Sequence, residues 1–246
     1  MSAAIDLNAD LGEGAPFDAD LMRIVSSASI ACGGHAGDAN TIYETMLLAK
    51  ANHVRIGAHP SYADRANFGR LKILQPHDVT VADVLTQLEV FAAVAQEAGV
   101  QVAYVKPHGA LYNETAKDAG LCLALYSAIR ARPGIGAVMG LPATQHELAA
   151  RETGLTFISE AFADRAYEEN GTLAPRSERG AVHEDIPAIV AQATEIARHG
   201  AVTARTGSNI PLSARSICLH GDSEHALAAA RAIRAAFEAE DIEIRA

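Results

Sequence analysis

The sequence predicts an α/β fold, a closed or nearly closed (β/α) barrel occupying residues 1–246 as a single domain. Three observations carry this. The length of 246 residues suits one α/β barrel of about 250 residues. Short apolar runs alternate with longer helix-like ones, the rhythm of a mainly parallel sheet with right-handed crossovers. Seven or eight strand-like runs follow one another with no linker midway, which favours a closed barrel over a doubly wound open sheet, the alternative.

In chain order the predicted strands are Ala4 to Asn8, Ala28 to Ala31, Arg55 to Ala58, Val102 to Lys106, Gly136 to Met139, Phe157 to Ala161 and Ser216 to Leu219, with a short last strand around Ile242 to Ile244. Between them, Thr80 to Glu97 carries Val84, Leu88, Phe91 and Ala95 at helical spacing, and Asp118 to Arg130 carries Leu121, Leu125 and Ile129. Ser223 to Glu240 is Ala-rich and helical. Asp18, Asn40, Thr80 and Asp118 have the residue types of helix N-caps. Two segments, Pro60 to Pro76 and Phe162 to Val182, read as long loops rich in Gly, Pro, Asp and Arg. Loops above about 12–15 residues are more often functional than accidental.

Twenty Lys and Arg against thirty Asp and Glu give a net charge of −10, which argues against nucleic acid and anionic membrane as partners. No apolar run is long enough to span a bilayer, and the first residues lack the basic and apolar regions of a signal peptide. Cys32, Cys122 and Cys218, three sparse cysteines without CxxC spacing, read as buried small hydrophobes in a reducing compartment. A cytoplasmic protein is expected.

Strand alternation gives the first functional signal. In Ile5-Asp6-Leu7-Asn8-Ala9-Asp10-Leu11 the polar residues Asp6, Asn8 and Asp10 share one face. A strand of a βαβ sheet is normally covered by helices, so a polar stripe suits the inside of a barrel mouth. Tyr104, Lys106 and His108 share a face in the same way. If that face looks inward, Lys106 is a buried cation that needs an anionic partner.

Other strands end in the same chemistry. His59 closes one, His220 and Asp222 follow another, Glu160 ends a third, and His35 and Asp38 lie in a Gly-rich loop past a fourth. One histidine after a strand means little. Four of ten histidines in one topological position, joined by Asp10 and Glu160, point to the C-terminal strand ends where barrel catalysis sits. The other six, His53, His77, His146, His183, His199 and His225, are assigned no role. HExxH and CxxC pairs are absent, so a metal remains open: a site assembled from separate strands is allowed, not specified. GxxxxGK[ST] and GxGxxG are also absent, so any nucleotide binds in another manner or on a partner.

Seven ordered motifs go further: DLNADLGEG at Asp6 to Gly14, IACGGHAGD at Ile30 to Asp38, GAHPSYADRANFGR at Gly57 to Arg70, VKPHGALYN at Val105 to Asn113, EAFADRAY at Glu160 to Tyr167, GTLAPRS at Gly171 to Ser177 and ICLHGD at Ile217 to Asp222. Together they resemble the LamB/YcsF family, the A subunit of bacterial ATP-dependent 5-oxoprolinase, from Asp6 to about Ala229. Ala9, Gly34 and Ala63 stand where the family often has Cys, Phe and Pro; none is ionisable, and Ala9 argues against an obligatory cysteine nucleophile there.

The resemblance implies a distorted seven-stranded (β/α) barrel similar to glycoside hydrolase and deacetylase barrels. It implies opening of 5-oxoproline to L-glutamate with ATP hydrolysis, the ATP seated with partner subunits B and C. It admits a divalent metal and a homo-oligomer. On this reading the catalytic residues are Asp10, His59, Lys106, His108 and Glu160. Asn8, His35, Asp38, Arg70, Asn113, Asp164, Arg165, Arg176, His220 and Asp222 bind substrate. Asp10 or Glu160 activates water, His108 or His59 moves protons, and Lys106, Arg165 and Arg176 neutralise anions. The rival classes are a metal-dependent deacetylase-like hydrolase acting alone and a non-catalytic lactam-binding subunit.

Overall fold

Alternating strands and helices dominate the computed structural model, which describes residues 4–220 and 223–246. The strands are β1 (Ala4–Leu11), β2 (Ser27–Ala31), β3 (Arg55–His59), β4 (Tyr104–Val105), β5 (Ala137–Gly140), β6 (Thr156–Phe162), β7 (Ala201–Thr203), β8 (Asn209–Pro211), β9 (Ser216–His220) and β10 (Glu243–Ile244). The helices are α1 (Asp18–Leu21), α2 (Ala39–Ala51), α3 (His77–Ala98), α4 (Gly109–Thr115), α5 (Ala119–Arg130), α6 (Gln145–Thr153), α7 (Ile186–His199) and α8 (Glu224–Ala239). Strands β1 to β6 pair in sequence order, all parallel, and β9 pairs with both β6 and β1. Seven parallel strands therefore close a barrel. β10 adds to the start of β1, and β7 with β8 forms an antiparallel hairpin outside the barrel.

Helix boundaries depart from the sequence reading at three caps. Asp18 is the first residue of α1, and its Oδ2 accepts the backbone N–H of Gly12 at 2.8 Å, fixing the turn that leaves β1. α2 is capped by Asp38 and not Asn40: the Asp38 carboxylate accepts from the N–H of Thr41 at 2.9 Å, the usual Ncap-to-N3 bond. α3 begins three residues before Thr80, with Pro76 at its cap. Asp118 does cap α5, accepting from Leu121. The strand expected from Val102 to Lys106 contracts to Tyr104–Val105, and at its C-terminal end Pro107 offers no N–H to extend the ladder.

The interior is layered by register. At the base Asp6 accepts the hydroxyls of Ser26, Ser27 and Ser216 and the Arg55 guanidinium, at 2.6–2.7 Å. Above it Tyr104 reaches across, its hydroxyl 3.0 Å from Ser29 Oγ. Gly57 makes this crossing possible: a Cβ there would lie 2.2 Å from the Tyr104 ring. The apolar faces of the strands turn outward to the helices, where Leu7, Ile30, Val105, Val138 and Ile217 are fully buried.

Candidate functional site

The third interior layer opens at the C-terminal strand ends, where β1 and β9 place Asp10 opposite His220 and Asn8 opposite Cys218. Lys106 enters from the end of β4 and is 2% exposed. Its Nζ donates to Asp10 Oδ1 at 2.8 Å and pairs with Glu160 Oε1 at 2.7 Å. It also lies 3.2 Å from both Asn8 Oδ1 and Cys218 Sγ. The Asn8 amide donates to Glu160 Oε1 and Ser216 Oγ, which orients its carbonyl oxygen toward the ammonium. Burial alone would depress Lys106, but the carboxylates of Asp10 and Glu160 hold it well above the ordinary lysine range. Burial alone would raise Asp10, but His59 and Lys106 hold it well below the ordinary carboxylate range.

One wall is a histidine cluster. His59 Nε2 lies 3.3 Å from Asp10 Oδ2 and 2.9 Å from His108 Nδ1. His35 stacks on His108 with centroids 3.7 Å apart and rings 2° from parallel, and its Nε2 meets Glu13 Oε1 at 2.8 Å. Phe68 packs edge-on against both rings. Burial pushes His35 down to about 4. Burial, with the fields of His59 and His35, holds His108 well below its usual value. Both rings are therefore neutral near pH 7. Two ligand groups suit a metal ion here: Asp10 with His59 and His108, and Glu13 with His35 and His108, each within 4.8 Å.

The opposite wall comes from the second long loop. Arg165 is buried and donates to the carbonyls of Ala174 and Ala181. Burial and the nearby Arg176 lower it to about 10. Arg176 hydrogen-bonds His220, whose Nδ1 pairs with Asp164 Oδ2 at 2.6 Å. These walls enclose a cavity of about 400 Å³, with Arg70, Leu71 and Asn113 at its rim. A wider groove of about 810 Å³ runs between α6 and β8 on the outside, without comparable His–carboxylate chemistry among the described residues.

The structure thus brings Asn8, Asp10, His35, His59, Lys106, His108, Glu160, Asp164, Arg165, Arg176 and His220 to one end of the barrel. Asp38 is not among them: it is exposed and committed to capping α2. Asn113 bonds the Gly109 carbonyl from the rim, and Arg70 lies over the Phe68 ring. Asp222 lies outside the described residues.

A model of the LamB/YcsF family matches residues 5–246. The chain belongs to the LamB/YcsF family. A lactam utilization protein from Thermus thermophilus shares 37% identity with this LamB/YcsF chain, with a TM-score of 0.91 over 99% of both chains. Two remoter structures share the barrel alone. One is a T48 deacetylase, 12% identical with a TM-score of 0.54 over 99% of this chain and 87% of the other. The second, a family 4 carbohydrate esterase from Streptomyces lividans, is 11% identical, with a TM-score of 0.51 over 98% and 91%.

Sequence reasoning missed several members of this LamB/YcsF site. Glu13 lies beyond the end of β1, after Gly12 turns the chain with φ 73°, so alternation could not reach it. Cys218 is more than an inert small hydrophobe, since it touches Lys106; its place two residues before His220, on the same face of one strand, was the available signal. Tyr112 stands one helical turn after His108, and burial together with the neighbouring Glu160 carboxylate holds its hydroxyl well above the ordinary tyrosine range. Gln87 braces the loop after His59, accepting from the Ser61 N–H at 3.0 Å and donating to its carbonyl at 2.8 Å. A Cβ at Gly34 would sit 2.4 Å from that carboxamide.

Proposed function

We propose that this chain is the subunit of ATP-dependent 5-oxoprolinase at which 5-oxo-L-proline is opened to L-glutamate, in the cytoplasm and together with subunits B and C. Membership of the LamB/YcsF family and likeness to a lactam utilization protein support a lactam substrate. The observation that carries the finer reading is the charge arrangement of the cavity. Arg165 and Arg176 face it from one side, and Asp10, His59 and His108 from the other. An uncharged lactam needs no guanidinium pair, whereas one bearing a carboxylate does.

A lactam is a resonance-stabilised amide and a poor electrophile. Transfer of the ATP γ-phosphoryl group to the lactam oxygen, on ATP seated with the partner subunits, gives an electrophilic carbon. Water adds there, and the ring C–N bond breaks as the nitrogen takes a proton. A second water splits the resulting acyl phosphate to glutamate and phosphate. In this scheme Asp10, His59 and His108 form the face at which water is activated. Lys106 keeps Asp10 ionised, pairs with Glu160 and opposes the charge that develops on oxygen, and the arginines hold the carboxylate and phosphate.

ATP-dependent glutamate release from 5-oxoproline, with and without subunits B and C, tests this reading. Turnover is expected only with the partners. No glutamate from the complete mixture would sink the assignment, and robust turnover by the isolated chain would sink the dependence on partners. ATP-independent release of acetate from an acetylated substrate would instead support the deacetylase-like reading that the Asp10–His59–His108 group allows.

A further inference from the structure

The hydrogen bonds of His59 and His108 leave a gap that only a positive charge fills. A neutral imidazole carries one N–H. His59 Nδ1 lies 2.8 Å from the Lys106 carbonyl oxygen, and a carbonyl can only accept, so Nδ1 carries the proton. His108 Nε2 lies 3.0 Å from the Phe68 carbonyl oxygen, so its proton is on Nε2. The remaining nitrogens, His59 Nε2 and His108 Nδ1, then face each other as bare lone pairs 2.9 Å apart. Two lone pairs at that distance repel. A proton between them would make one ring an imidazolium, yet His59 and His108 are 1% and 5% exposed and His35 stacks directly on His108.

The surrounding distances favour a larger cation than a proton. Asp10 Oδ2 is 3.3 Å from His59 Nε2, and Glu13 Oε1 is 3.5 Å from His108 Nδ1. Both exceed the usual N–H···O range of about 2.7–3.2 Å. The Asp10–His59 distance matches the edge, about 3.3–3.4 Å, of a tetrahedron around an ion with bonds of about 2.0–2.1 Å, and the 2.9 Å between the two imidazole nitrogens is shorter than that edge. The outer supports are also in place. Each histidine gives its other N–H to a backbone carbonyl, the arrangement that fixes tautomer and aim in metal-bound imidazoles. Lys106 holds the other oxygen of Asp10.

We propose that Asp10 Oδ2, His59 Nε2 and His108 Nδ1 bind one divalent first-row transition ion, with the open side of the triad toward the cavity and Glu13 beside it. Two imidazoles and a carboxylate favour zinc over magnesium or calcium. The site stands on its own geometry. It rests on the lactam reading only for its use, which is Lewis acidity toward an oxygen that enters the cavity.

The test is direct zinc binding by the full chain after chelator treatment, followed by calorimetry, by metal content after desalting and by cobalt substitution spectra. One zinc per chain is expected, with a rise in Tm on loading and a cobalt spectrum of mixed nitrogen and oxygen ligation. Asp10→Asn and His59→Gln should each weaken binding by at least tenfold. His59→Gln keeps the Lys106 ion pairs, so it serves if Asp10→Asn fails to fold. His199→Gln, an exposed position on α7, should bind as the wild type does. No binding by folded wild-type chain, or binding that both ligand variants retain, overturns the site and assigns the gap to a shared proton. Glutamate release is scored separately, so failure of the metal site is distinguishable from failure of the lactam reading.

Discussion

Replacing Lys106 by Met removes the ammonium that bridges Asp10 and Glu160 and leaves two carboxylates inside the barrel. The side chains of Asp10 and Glu160 are 6% and 0% exposed, so water cannot replace the lost partner. Removing one member of a buried pair costs about 3–5 kcal/mol, which for a chain of this size lowers Tm by roughly 6–20 °C. A surface lysine would cost under about 0.5 kcal/mol.

The pH dependence has a definite sign. In the wild type the folded-state pKa of Asp10 is depressed, so its contribution is present above the unfolded value of about 3.9 and is lost as pH falls through the folded value. In Lys106→Met the Asp10 carboxylate keeps its burial, which raises it, and loses the ammonium that lowers it, so the variant regains stability on acidification relative to wild type. Urea unfolding at pH 8 and pH 5 should show the gap to wild type narrowing, and glutamate release by the complex should fall by about 10²–10³. A variant within about 0.5 kcal/mol of wild type at both pH values, with normal turnover, would refute the reasoning.

Arg165→Gln should raise KM for 5-oxoproline in the complex by about tenfold or more, since a hydrogen bond to a charged group is worth about 1.5–3 kcal/mol; the same lactam without its carboxylate should show no such change. Gly57→Ala should cost at least about 1–3 kcal/mol by overpacking, read as a lower Tm, because the new methyl meets the Tyr104 ring. Burial depresses His146 to about 3 and His35 to about 4. The unfolded chain therefore takes up the extra protons below about pH 6.5, and stability should fall between pH 6.5 and 4 by up to roughly 2–3 kcal/mol per pH unit. Urea melts of wild type and His146→Gln separate the two histidines, and a flat profile would contradict their burial as neutral rings.

The strands and the residues at their ends were legible because alternation is a local signal. Asp6, Asn8 and Asp10 announce an inward polar stripe, and Lys106, His108, His59, Glu160 and His220 declare themselves by where a strand stops. What stayed hidden depends on distant segments. Arg165 is held by the carbonyls of Ala174 and Ala181, across a loop with no period of its own. α6 escaped notice because its buried stripe is His146, Ala149 and Ala150, too weakly apolar to stand out. The β7–β8 hairpin uses three-residue strands, too short for a pattern. Asp38 misled because a cap and a ligand call for the same residue type in the same Gly-rich setting.

The seam between β1 and β9 joins residues about 210 positions apart, from Asp6 with Ser216 to Asp10 with His220. Until β9 emerges, Asp6 lacks one of its serine donors and the cavity lacks the wall carrying Cys218 and His220. At about 5–20 residues per second, a ribosome takes roughly ten seconds or more to travel from one edge to the other. During that wait the polar stripe of β1 has no finished interior to enter. A chain cut short before β9 would expose that stripe together with the unpaired edges of β1 and β6, a form open to proteases and unable to assemble the site. Emergence of β9 and assembly of the candidate site are thereby one event.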